Sequence, residues 1–151
     1  METARFTRKP KRRRRLLADL VALFVWSVYQ YVLLPVSGRN HYSFLVIENP
    51  MHPGPIKVYH VNSMKNAHSS AYVFDVLQWW STFVHLTKPQ QLNWIDCGVN
   101  VLHYMDVISK HIAAEKPGSI EEKFAAWTEG DLGVKKAAAY RAKLYRTISP
   151  A

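Results

Sequence analysis

Three stretches of the chain are apolar in the short, β-branched and aromatic manner of strands, near residues 31–36, 42–47 and 56–61. Ser37-Gly38-Arg39-Asn40 separates the first two as a turn, and Pro50, Pro53, Gly54 and Pro55 break the chain before the third. Further along, the period lengthens. Val101, Leu102, Met105, Ile108 and Ile112 recur at three- and four-residue spacing, which predicts one buried helix face behind a start near Cys97. Tyr72, Val73, Val76, Leu77, Trp80 and Val84 make a similar stripe and predict an amphipathic helix over 69–86. Beyond Pro117-Gly118, Ser119 and Glu122 have capping-box spacing ahead of a helix through Trp127. Lys135 to Arg146, rich in Ala, Lys and Arg, predicts a final surface helix. The reading is an α+β fold: a small central sheet flanked by helices, with the helix that starts at Cys97 packed against it.

The first thirty residues divide by charge. The net charge is +9, yet residues 1 to 15 hold eight Lys and Arg against Glu2, so the rest of the chain carries only +2. That leaves a basic, disordered arm (1–15) on a near-neutral domain (16–148). Lys9-Pro10-Lys11-Arg12-Arg13-Arg14-Arg15 has the composition of a nuclear-localisation segment, which a nuclear import receptor would bind; a solvated tail is the alternative. After the arm, residues 16 to 36 are mostly apolar. A buried helix (16 to 28) feeding the first strand is preferred, because Asp19, Ser27, Gln30 and Pro35 interrupt the run; a membrane anchor behind a positive flank is the alternative.

Composition narrows the chemistry. At 151 residues one core is expected, and one cysteine excludes an intramolecular disulfide framework, in keeping with a nuclear or cytoplasmic setting. Trp79, Trp80 and Phe83 have no basic residues interleaved, so they read as packing residues, and nucleic acid is not an expected partner. No cofactor and no metal are expected. His103 and His111 lie eight residues apart, about 12 Å along a helix, and HExxH, paired CxxC and glycine-rich phosphate loops are absent from the sequence. His60, His68 and His85 read as packing or surface residues.

The candidate chemistry centres on Cys97. A thiol in the first turn of a helix gains reactivity from unpaired backbone N–H groups and the helix dipole; a buried thiol acting as a small hydrophobe is the alternative. His41 opens the second strand and Asn62 ends the third, so the chain presents His, Asn, Gln and Cys in order, at strand ends and a helix start. A turn residue bonding its own backbone is the alternative for Asn62.

This order and wording resemble the ubiquitin-like-protein-specific cysteine proteases, the SUMO proteases and deneddylases. Their pattern is a strand opening in His-Trp, a later strand ending in Asp-Ser, and Gln-x5-Cys-Gly. Here those read as His41-Tyr42, Asn62-Ser63, and Gln91 followed by Cys97-Gly98; Gln90-Gln91-x-Asn93-x-x-Asp96-Cys97-Gly98-Val99 is the specific part. The resemblance runs from about Tyr29 to a closing helix within Asp131 to Ile148 that contains Tyr140-Arg141.

The resemblance implies a papain-like cysteine protease fold and cleavage after the C-terminal Gly-Gly of a ubiquitin-like modifier or its conjugates. Cys97 would attack, His41 would be its base, and Gln91 with the Cys97 backbone N–H would form the oxyanion hole. Asn62 would orient His41 by accepting from imidazole Nδ1–H, as in Cys-His-Asn proteases. Two substitutions and one shortening set this chain apart. Asn62 replaces the family's usual Asp, Tyr42 replaces Trp, and only 40 residues precede His41, so reduced activity in a monomeric, N-terminally shortened member is expected. The rival readings are a weak or inactive relative that only binds the modifier, and a basic-arm protein that binds nucleic acid.

Overall fold

A computed structural model describes residues 4–5, 25, 28–37, 40–49, 56–64, 83–84 and 96–149. Its sheet contains β1 (Ala4–Arg5), β2 (Tyr31–Ser37), β3 (Tyr42–Glu48), β4 (Lys57–Val61) and β5 (Phe83–Val84), in that spatial order. The helices are α1 (Cys97–Glu115), α2 (Glu121–Glu129) and α3 (Val134–Ile148). β2, β3 and β4 form an antiparallel meander, and the two-residue strands β1 and β5 add to its edges in parallel. The architecture is α+β, with the three longer strands where the sequence predicts them.

β3 is the spine. From Ser43 to Glu48 every residue is buried, because both neighbouring strands pair with it and both of its faces are covered, which explains a continuous apolar run instead of a clean alternation. Phe44 and Val46, with Tyr59 and Val61 of β4, pack against Val101, Tyr104 and Ile108 of α1 and against Ile120, Phe124, Trp127 and Leu132. Tyr59 and Phe124 stack with ring centroids 5.1 Å apart. Leu45, Ile47, Val36 and Val58 form a second cluster on the opposite sheet face.

Glu48 closes the far end of β3. Its side chain is 2% exposed, and one oxygen, Oε2, accepts from Tyr59 Oη at 3.1 Å, Ser119 Oγ at 3.1 Å and Ile120 N at 3.2 Å. Lys57 Nζ lies 4.0 Å from Oε1 and binds Glu121 at 2.5 Å. Burial, then the nearby carboxylate, raises the Tyr59 hydroxyl above its ordinary range and pushes Tyr31 up to about 12. Tyr31 Oη donates to Pro117 O at 2.7 Å, fastening the α1–α2 turn to β2. That turn begins at Lys116, whose left-handed conformation (φ 45) ends α1.

Several expectations change. The helix predicted over 69–86 does not reach its end, since Phe83–Val84 is extended and pairs with Val58 and Tyr59; strand pairing overrides a local helical stripe where the sequence is Phe-Val. The rest of that stripe lies outside the described residues, as does most of the helix predicted over 16 to 28. The apolar run 16–36 is not one helix, because it is a strand from Tyr31 onward. Among the described residues no helix is long and apolar enough to cross a membrane. Ala4 and Arg5 of the arm pair with Val36 and Ser37, while the remainder of the arm lies outside the described residues. α2 starts at Glu121 without a capping box: Ser119 Oγ accepts from Glu121 N at 3.3 Å, and the carboxylate that serves the helix start is Glu48, not Glu122.

Candidate active site

The β2–β3 turn delivers His41 through Asn40, whose φ of 132 is rare for a residue with a side chain. His41 stands one residue before β3 and is 5% exposed. Its Nε2 lies 2.7 Å from Asn62 Oδ1, just past the end of β4. The same Oδ1 accepts from Met64 N at 3.0 Å. A backbone N–H can only donate, so this contact fixes which end of the Asn62 amide is oxygen, and that oxygen in turn requires a proton on His41 Nε2.

The neutral imidazole is therefore the Nε2–H tautomer, with the basic lone pair on Nδ1. This reverses the expected edge: Asn62 holds Nε2, not Nδ1. The physical reason is reach: Nε2 is the ring nitrogen farther from the backbone, and it is the one within hydrogen-bond distance of the Asn62 oxygen beyond β4. One Asn62 oxygen thus accepts both the turn bond from Met64 N–H and the bond from the imidazole. Burial lowers the His41 pKa below 6.5, partly offset by the Asn62 hydrogen bond.

Cys97 is the first residue of α1, reduced and 5% exposed. The carbonyl of Asp96 accepts from Asn100 N at 2.9 Å and from the buried Asn100 Nδ2 at 2.8 Å, so the turn carrying Cys97 is closed twice. The Asp96 carboxylate makes no capping bond and instead meets Arg141 Nη1 of α3 at 2.6 Å. A methyl group at Gly98 would sit 3.9 Å from Cδ2 of the Tyr42 ring. Tyr42 follows His41 and Gly98 follows Cys97, so this approach brings the start of β3 and the start of α1 to one place. Tyr42 remains 47% exposed there.

Of the four predicted residues, His41 and Asn62 are hydrogen-bonded, and Cys97 opens the helix whose next residue meets Tyr42. Gln91 lies outside the described residues. Sequence reasoning missed Arg141 and Asn100 as supports of the helix start. His60, read as a packing or surface residue, is buried, and its Nε2 lies 3.0 Å from Ser43 Oγ. Strand alternation places Ser43 and His60 two residues from His41 and Asn62, a spacing visible only once β3 and β4 are known to pair. Among the described residues no three His, Cys, Asp or Glu side chains gather as a metal site requires.

No family model matches the chain, and no curated protein does. Solved structures do. The crystal structure of a de-sumoylating protease superposes with a TM-score of 0.59 over 92% of this chain, at 18% identity. The fold is that of a de-sumoylating protease. The chain spans 63% of the length of that structure. The C-terminal Ulp1 protease domain, solved in complex with Smt3, the yeast ortholog of SUMO, also matches, at 16% identity over 92% of this chain and 64% of its own, with a TM-score of 0.46.

Proposed function

We propose that this chain is a thiol peptidase or isopeptidase acting after the C-terminal Gly-Gly of a ubiquitin-like modifier of the SUMO type. The observation that carries the reading is the Asn62 oxygen shared between Met64 N–H and His41 Nε2–H, because it leaves Nδ1 as the basic edge of a buried imidazole. In the proposed reaction, Nδ1 takes the Cys97 proton as sulfur attacks the carbonyl carbon. The same proton then goes to the leaving amine, and water hydrolyses the thioester. Gln91 and the Cys97 backbone N–H would receive the oxyanion, a contribution of roughly 3 kcal/mol per donor.

Asn62 orients the ring without a charge to stabilise imidazolium. Thiols tolerate this because they are intrinsically acidic. The lowered His41 pKa has a defined sign: the base form persists to lower pH, so the acid limb of modifier cleavage is expected below pH 6.5. A second reading, a relative that binds the modifier without cutting it, draws on the same uncharged Asn62. The basic arm is proposed as a nuclear address read by an import receptor.

The deciding experiment uses a SUMO-type modifier carrying a C-terminal electrophile. Covalent capture by the wild type supports the peptidase. Reversible binding without capture supports the binding-only relative, and neither outcome removes the modifier as partner. Deleting residues 1 to 15, which removes the two-residue edge strand β1 with the rest of the arm, is expected to change nuclear accumulation and leave capture within about twofold of the intact chain; a sharp loss of capture would show that β1 supports the site.

A further inference from the structure

We infer that Arg141 is a positioning residue for Cys97, acting through Asp96. This deepens the proposed peptidase reading and rests on Cys97 being its nucleophile.

Asp is among the best helix N-cap residues, and a side-chain cap contributes about 1 kcal/mol. Asp96 stands at the N-cap of α1, with φ −88 and ψ 6, yet its carboxylate makes no capping bond. It is turned instead toward α3, where Arg141 Nη1 meets Oδ1 at 2.6 Å. The helix start is held by other means, through the two bonds from Asn100 to the Asp96 carbonyl. With the backbone closed by Asn100, the carboxylate's contact with Arg141 does something other than capping.

The location supplies the reason. A carboxylate one residue from Cys97 opposes formation of a thiolate, since like charges at close range disfavour each other. A guanidinium on that carboxylate cancels its charge and fixes its direction. Arg141 is itself steadied by the Tyr145 ring, 5.8 Å from its guanidinium carbon. The other cations of α3 do not serve here: Lys135, Lys136, Lys143 and Arg146 are exposed, and Lys136 pairs with Asp131. Besides Asp96 and Arg141, Tyr42 of β3 approaches this end of α1, one residue after His41.

The test is alkylation of Cys97 by iodoacetamide in the full chain, followed by mass spectrometry from pH 5 to 10. Arg141→Met is expected to move the midpoint of the rate profile up by about half a pH unit and to slow labelling at pH 7 about threefold. Asp96→Asn alone moves it down, because the positive charge of Arg141 at this end of α1 is then no longer offset by a carboxylate. Combining the two returns the midpoint to near the wild-type value. Arg141→Lys, which keeps the charge, stays close to wild type.

A merely structural pair would make both single variants slower and the double no better, with no opposed shifts of midpoint. That pattern overturns the inference, as does an unchanged profile in Arg141→Met or a native wild type that iodoacetamide does not label. If Arg141→Met does not fold, the downward shift in Asp96→Asn decides alone. The modifier electrophile is run in parallel: opposed shifts with iodoacetamide but no capture by that probe defeat the peptidase reading and leave the positioning role standing.

Discussion

The two ends of β3 are built on opposite principles. At its end, Glu48 is a buried carboxylate whose single oxygen takes three donors from β4 and the start of α2. Just before its start, His41 is a buried imidazole held by one neutral amide oxygen, which it shares with a backbone N–H. One end spends a full charge on connectivity. The other avoids charge and leaves a basic nitrogen in a low-dielectric setting, where its protonation is easily tuned. A strand buried on both faces supports both, because neither end has to contribute to the apolar core between them.

If the ends are separate in purpose, substitutions should separate stability from chemistry. The largest effect is expected for Cys97→Ala, which should abolish capture by the modifier electrophile while leaving the thermal unfolding temperature near that of the wild type. Equal capture by the variant would remove Cys97 from the mechanism.

Next comes Glu48→Ala, at the other end. It leaves the Tyr59 hydroxyl, Ser119 hydroxyl and Ile120 N–H without their shared acceptor, a loss of about 3 kcal/mol in chemical denaturation. In the fraction that remains folded, alkylation of Cys97 should proceed at nearly the wild-type rate. A Glu48→Ala protein as stable as the wild type would show that this end is not a structural knot.

Asn62→Asp sharpens the contrast by giving the functional end the charge it lacks. The carboxylate would stabilise imidazolium, so the acid limb of cleavage should move to higher pH. Above that limb the rate should rise about tenfold, roughly 1.4 kcal/mol of barrier. The rate of a modifier–fluorophore fusion measured across pH checks both; an unchanged or lower rate in an active, folded variant would remove Asn62 from the role.

The smallest effect is expected at Asn40, where φ is 132. Asn40→Gly relieves a backbone strain of about 1–3 kcal/mol, offset in part by the entropy of glycine. A net gain near 1 kcal/mol would raise the unfolding temperature by about 2–4 °C, and a fall would show the conformation is unstrained.

What could be read in the sequence was local. β-Branched and aromatic clusters predicted β2, β3 and β4, and the Val101/Met105/Ile108 spacing predicted α1 with Cys97 in its first turn, as it stands. The three-way order of His41, Asn62 and Cys97 was equally legible, because each sits at the boundary of a strongly patterned element. What escaped depends on contacts between distant segments. Glu48 replaces the predicted capping glutamate from 72 residues upstream of Ile120. Phe83–Val84 pairs with β4 against a helical stripe. The edge of the imidazole facing Asn62 is set by a side-chain contact across 21 residues, which no one-dimensional pattern encodes.

The Asp96–Arg141 pair spans 45 residues of chain. Polypeptides emerge from the ribosome N-terminus first, at about 5–20 residues per second, so Cys97 is made roughly 2–9 s before the cation that completes its surroundings. Until α3 is made and docks, the Asp96 carboxylate lacks this contact, so the start of α1 acquires its link to the end of the chain only as the last helix falls into place.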